Sequence, residues 1–208
     1  MRIQITFTKQ GALRYTGHLD LHRLWERAAR RAELPLAYSQ GFHPQPKMSI
    51  AAALPLGFSS RCEVLDMRLE RDIPLDGLRN KLQLTLPSGI QVLSIEQSDD
   101  HGPALQTQVL SAEYEVHLTE SVDGSDLKRK VSSVMDSESI IRVRRGKEYD
   151  LRPLILSLDC DIHGESTTIH MVLSAREGAT GRPEEVLDEL GIAFEGTRIE
   201  RIRLDFLS

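Results

Sequence analysis

Met1-Arg2-Ile3-Gln4-Ile5-Thr6-Phe7 alternates apolar and polar side chains, and Gly17-His18-Leu19-Asp20-Leu21-His22-Arg23-Leu24-Trp25 then changes the period. The first stretch predicts a strand with Ile3, Ile5 and Phe7 on one face. In the second, Leu21, Leu24, Trp25, Ala28, Ala29 and Ala32 recur at helical spacing. His22, Arg23, Glu26, Arg27, Arg30 and Arg31 take the outer positions. Pro35 is expected to stop this helix, because the residue before a proline avoids the helical region.

The same reading extends outward. Residues 48–53 predict a short buried strand, and residues 54–60 a turn. Leu65, Met67 and Leu69 alternate with Asp66 and Arg68 as a strand. Residues 76–86 predict a helix with Leu75, Leu78, Leu82 and Leu86 inside. Ile90, Val92 and Ile95 give a further strand. The order β-α-β-β-α-β is the ferredoxin-like split arrangement.

Residues 97–109 are polar and turn-rich and read as a linker. A second round follows: a strand at 112–118, a helix at 124–135, strands at 140–143, 151–158 and 168–173, and a helix at 183–190. Pro183 opens that last helix and Gly191 ends it. A final strand carries Ile199, Ile202, Leu204 and Phe206. The expectation is an α+β protein of two tandem ferredoxin-like units with antiparallel sheets, residues 1–96 and 110–208, the second with one extra strand.

No apolar run approaches the roughly 20 residues of a membrane helix. The N-terminus reads as a strand and not a signal peptide, so a cytoplasmic protein is expected. Cys62 and Cys160 are the only cysteines. Two cannot build a thiolate cluster, and a reducing cytosol disfavours their disulfide, so both are expected to be plain strand or core residues. Net charge is -5, yet residues 1–61 carry nine Lys or Arg against three acids, a net of +6 that leaves -11 elsewhere. A basic third on an acidic chain points to a local anionic partner, or to a solvated helix face.

Tyr38-Ser39-Gln40-Gly41-Phe42-His43-Pro44-Gln45-Pro46-Lys47 concentrates unusual residue types in one loop. Gly41, Pro44 and Pro46 exclude a regular helix. An aromatic, an imidazole and an ammonium suit base stacking and phosphate binding. They also suit general acid–base chemistry in metal-free RNA cleavage, with His43 titrating near neutrality. The structural alternative buries Phe42 as an anchor. His18 and His22 share a helical face at metal-ligand spacing but lack an evident third ligand, so no metal is expected. Arg23, Arg27, Arg30 and Arg31 form a stripe whose guanidinium forks match phosphate oxygens. Arg142, Arg144, Arg145, Lys147 and Arg152 make a second basic run, readable as a strand edge protected against aggregation. Thr180-Gly181-Arg182-Pro183 opens a helix, but acids in its first turn oppose an anion.

Arg14-Tyr15-Thr16-Gly17-His18-Leu19-Asp20, the Tyr38–Lys47 stretch, Leu54-Pro55-Leu56-Gly57 and Glu63 together resemble the radical-SAM-linked family. That is a domain of unknown function fused to, or encoded beside, cobalamin-binding radical SAM proteins. Arg182-Pro183-Glu184-Glu185-Val186-Leu187 and the closing strand from Arg198 to Leu207 are similar to its C-terminal part. The resemblance implies a radical SAM partner and a role in RNA or ribosome-related modification, and names no catalytic residue. With no three-cysteine motif, the chain would not itself be the radical enzyme, and no cofactor is expected on it. The resulting expectation is an accessory RNA-binding protein and not a stand-alone enzyme. Its candidate substrate-binding residues are Arg14, His18, His22, Arg23, Arg27, Arg30, Arg31, Tyr38, Ser39, Gln40, His43 and Lys47. The architecture is also similar to CRISPR repeat-processing endoribonucleases, which implies Tyr38, His43 and Lys47 as a metal-independent catalytic set. A third expectation is a protein-interaction module docking on the radical SAM partner.

Overall fold

Ile3, Ile5 and Phe7 are completely buried along β1 (Arg2–Lys9), as the alternation predicts. The computed structural model describes residues 1–164 and 166–207. The chain divides into one unit, Met1–Gln108, and a second that begins at Val109.

In the first unit, β1 pairs antiparallel with β3 (Ser59–Arg68) on one side and β4 (Ile90–Ser98) on the other. The short β2 (Met48–Ile50) pairs antiparallel with the far edge of β3. The order is therefore β4-β1-β3-β2. Helix α1 (His18–Arg31) buries Leu21, Trp25, Ala28 and Ala29 against the sheet. The Phe7 and Trp25 rings meet edge to face with centroids 4.8 Å apart, a geometry the ring quadrupoles favour. Truncating Trp25 there costs about 3–5 kcal/mol. Helix α2 (Leu78–Gln83) adds Leu78 and Leu82 to the same core.

Two helix ends differ from expectation. α1 stops at Arg31, before Pro35 can act. Glu33 adopts φ 51°, its N–H donates to Arg30 O at 3.0 Å, and Leu34 N–H donates to Ala29 O at 3.0 Å. This is a Schellman stop with glutamate where glycine is usual, and it folds buried Leu34 back onto the core. α2 is shorter than residues 76–86. Pro87 drives Leu86 out of helical geometry, so residues 84–87 leave as a turn. Thr85 Oγ1 holds that turn, donating to Leu82 O at 2.8 Å and Ala28 O at 3.1 Å. Gly89 follows where any Cβ would lie 2.6 Å from Gln10 O, and its own carbonyl accepts from Gln10 N–H at 2.8 Å.

The segment read as a linker is tied to the first unit. β4 runs through Ser98, and Leu105 is buried. Buried Arg2 donates through Nε to the Asp66 carboxylate at 2.9 Å. Its other nitrogens reach the carbonyls of Asp99 and Gly102 at 3.0 Å and Pro103 at 2.9 Å.

The second unit repeats the strand order. β5 (Val109–Leu118) lies between β11 (Thr197–Phe206) and β9 (Ser166–Arg176), and β8 (Ile155–His163) pairs with the outer edge of β9, all antiparallel. β10 (Ala179–Thr180) shares that edge. Helices α3 (Gly124–Asp136) and α4 (Pro183–Leu190) supply the apolar face. The expected extra strand is instead a separate hairpin, β6 (Ile141–Arg144) with β7 (Lys147–Asp150). Arg145 and Gly146 turn it, both at positive φ (52° and 77°), as a two-residue hairpin of the right-handed twist requires. The strand placed at 151–158 starts later, at Ile155, after a 3-10 turn Arg152–Leu154. Cys62 lies in β3 and Cys160 in β8, and neither forms a disulfide. Burial pushes the Cys160 thiol above its ordinary value. The α+β class with antiparallel sheets read from the sequence is the architecture found. Among the described residues, no helix is long and apolar enough to cross a membrane.

Candidate functional site

α1 buries one side and leaves a broad polar face, and its two rims do different things. Residues four apart stack along a helix, so His18, His22, Glu26 and Arg30 form one row. His18 is exposed at the helix start. A His22 ring nitrogen lies 3.1 Å from Met48 O; the carbonyl only accepts, so that nitrogen carries the proton. Among the described residues no group of His, Cys, Asp and Glu large enough to hold a metal forms around this pair. Arg30 pairs with Glu26 at 2.8 Å. Its Nε also donates to the Tyr38 hydroxyl at 3.1 Å, and its guanidinium lies 5.7 Å from the Tyr38 ring centre. This rim fastens the loop to the helix.

The Tyr38–Lys47 loop is a closed stem with an open tip. Ser39 N–H donates to Gln45 O at 2.8 Å, Gln45 N–H donates to Ser39 Oγ at 2.9 Å, and Lys47 N–H donates to Ala37 O at 2.8 Å. Gly41 turns the tip at φ 125°, a conformation that favours glycine. Gln40, Phe42 and His43 face solvent, and the Phe42 side chain is fully exposed. The structural alternative that buried Phe42 as an anchor is thus incorrect; Tyr38 packs against the core instead. Because Tyr38 is opposite Pro46 and Ala37 opposite Lys47, alternation puts Tyr38 and Lys47 on opposite faces of the stem. Lys47 lines a separate hollow of about 370 Å³ with Arg2, Asp66 and Arg68. His43 is at the tip. The structure therefore does not bring Tyr38, His43 and Lys47 to one point.

Arg23, Arg27 and Arg31 follow the opposite rim, which overhangs a cleft of about 580 Å³. The cleft's other wall is the turn 84–87, carrying Leu84, Leu86 and Pro87. Leu84 is 88% exposed. Arg23 has Asp20 at 3.5 Å, while Arg27 and Arg31 have no ion-pair partner among the described residues. Sequence reasoning found the arginines but missed the wall, because residues 84–86 were assigned to α2; Pro87 is the signal that places them outside it.

Arg14 and Tyr15 end a 3-10 turn, Gly11–Tyr15, with the guanidinium 4.7 Å above the Tyr15 ring centre. Arg14 O accepts from Gly57 N–H at 2.9 Å, so residues 14–20 and 54–57 adjoin. Lys9 Nζ, buried beneath, donates to Thr16 O at 3.0 Å.

In the second basic run, α4 compensates Arg142 and Arg144. Arg142 pairs with Asp188 and with Glu189, the latter at 2.6 Å. Arg144 Nε donates to Glu185 Oε1 at 3.1 Å, Nη1 to Thr180 O at 3.1 Å, and Nη2 to the Tyr149 hydroxyl at 3.0 Å. Burial, then Glu185, pushes the Tyr149 hydroxyl above its ordinary value, so it stays neutral. Arg152 donates to Met135 O at 2.8 Å, near the end of α3.

Residues 2–183 match the family described as an uncharacterized protein conserved in bacteria (DUF2344). The chain belongs to this family. That description names no radical SAM or cobalamin partner. No curated protein matches the chain. Among solved structures, it is similar to a chain of a Cbf5-Nop10-Gar1 complex, at 11% identity and TM-score 0.52 over 97% of this chain and 48% of that one. It is also similar to a chain of the archaeal box H/ACA sRNP Nop10-Cbf5 complex, at 13% identity and TM-score 0.45 over 98% of this chain and 48% of that one. The chain thus spans about half the length of those chains, and its likeness to the first is one of fold.

Proposed function

We propose that the first unit binds RNA through the outer face of α1 and the adjoining Tyr38–Lys47 loop. In this reading the chain is an accessory protein to a cobalamin-binding radical SAM enzyme acting in RNA or ribosome-related modification. The observation that carries the RNA part is that two arginines of this rim have no ion-pair partner among the described residues. Arg27 and Arg31 keep guanidinium charges uncompensated beside an open cleft, on a chain whose net charge is negative. Such a local surplus attracts a polyanion. The radical SAM part rests on the motif resemblance of residues 14–20, 38–47 and 54–57, two of which adjoin at Arg14 and Gly57. Fluorescence anisotropy with a labelled structured RNA tests the RNA part. The double variant Arg27→Glu, Arg31→Glu is expected to weaken binding about tenfold or more at low salt; unchanged affinity contradicts the reading.

Phe42 favours a second reading, docking on a protein partner. A fully exposed aromatic at the tip of a hydrogen-bonded stem suits a hot-spot contact. Capture of the purified radical SAM partner after nuclease treatment is expected from the wild-type chain and lost in Phe42→Ser. Equal capture by both removes this reading. The endoribonuclease reading has no comparable support, since its three residues do not converge.

A further inference from the structure

The cleft between α1 and the turn 84–87 has two chemically different walls; Leu86 of the second wall packs partly on the core, while Leu84 does not. One wall is cationic. Arg23, Arg27 and Arg31 succeed one another at four-residue intervals, about 6 Å of helix rise per step. Only Arg23 has an acidic neighbour there, Asp20. The other wall is apolar. Leu84 stands 88% exposed, on a turn pinned to α1 through Thr85 and, beyond Gly89, to Gln10. An immobilised turn that displays a leucine to solvent gains nothing for the core, while the core side of α2 is already filled by Leu78 and Leu82. At about 580 Å³, the cleft falls within the range of roughly 300–1,000 Å³ typical of small-ligand sites.

We infer that this cleft takes an unstacked nucleotide of a single-stranded RNA segment, with backbone phosphates on Arg23, Arg27 and Arg31 and the base against Leu84 and Pro87. This rests on the RNA reading above and adds strand selectivity to it. Arginine forks match phosphate oxygens in a bidentate way. The apolar wall gains contact only from a base whose face is free, and a duplex hides its base faces by stacking. A free nucleotide has the same chemistry but engages fewer arginines, so a strand that spans the row binds more tightly.

The test is fluorescence anisotropy with a labelled single-stranded oligoribonucleotide, its duplex, and AMP as competitor. Leu84→Ser is the probe variant, because a side chain this exposed can be replaced without loss of folding. Expected are roughly three- to tenfold weaker binding of the single strand by Leu84→Ser with an unchanged salt dependence, weaker binding of the duplex by the wild type, and no displacement by micromolar AMP. Three results overturn the inference while leaving RNA binding intact: equal affinity of Leu84→Ser and wild type, equal affinity for strand and duplex, or displacement by micromolar AMP. Absence of binding to any RNA overturns both this inference and the reading it rests on.

Discussion

The arginines of α1 and those of the β6–β7 hairpin look alike in the sequence and have opposite fates in the structure. Arg142 and Arg144 alternate along β6 and reach Glu185, Asp188 and Glu189 of α4. Their charges dock the hairpin and are spent within the fold. Arg23, Arg27 and Arg31 line a helix rim facing a wall of Leu84, Leu86 and Pro87, which offers no carboxylate. The difference is the position of the compensating acids and not the number of cations. A basic run becomes a candidate binding surface when the elements packed beside it supply apolar atoms instead of carboxylates.

The largest expected effect is a crossed pair of outcomes. Arg27→Glu, Arg31→Glu should lose RNA affinity, while Arg144→Ala should keep it. Stability should respond the other way. Removing Arg144 strips Glu185 and Tyr149 of their charged donor in a site only about a quarter exposed, where such hydrogen bonds contribute about 1–3 kcal/mol. Urea denaturation should register that loss for Arg144→Ala. If Arg144→Ala instead weakens RNA binding as much as the α1 variant does, the contrast between the two clusters is wrong.

A smaller effect concerns acid. The Asp150 carboxylate accepts from Ile140 N–H at 2.8 Å and from Arg152 N–H at 3.0 Å, and the Ile140 bond, foremost, holds it below the usual carboxylate range. A carboxyl with a depressed folded value stabilises the native state above its unfolded value of about 4, and that contribution fades as pH falls through the lower folded value. Amide signals of the hairpin should therefore loosen on acidification. Asp150→Asn, which cannot titrate, should remove the part of that pH dependence that belongs to this carboxyl. An identical acid profile in the variant would exclude Asp150 as its source.

Much of the fold was legible because one-sided burial imposes a period. Ile3, Ile5 and Phe7 had to face inward together, and Leu21, Trp25 and Ala29 had to meet them. What escaped depended on partners far along the chain or on single backbone angles. Arg2 counted only as one of nine basic residues, yet it binds Asp66 and three carbonyls of residues 99–103. Glu33 ends α1 by adopting a left-handed angle that glutamate rarely takes. Arg145-Gly146 was a usable hairpin signal, since glycine there permits the second positive φ, but it was read as part of a charge run. In the candidate site, the arginines were visible by residue type. The cleft was not, because its apolar wall comes from a turn more than fifty residues from Arg31. The alternative that buried Phe42 rested on its hydrophobicity, which argues for burial unless the chain's own stem holds it outward.

If α1 places Arg27 and Arg31 on phosphates, the salt dependence of RNA binding must report it. Each phosphate neutralised on a single strand contributes about 0.7 to the slope of log affinity against log salt. Measured by anisotropy across a salt series, Arg27→Glu, Arg31→Glu should be shallower than the wild type by about 1.4. Parallel lines for the two proteins would mean that Arg27 and Arg31 hold no phosphate.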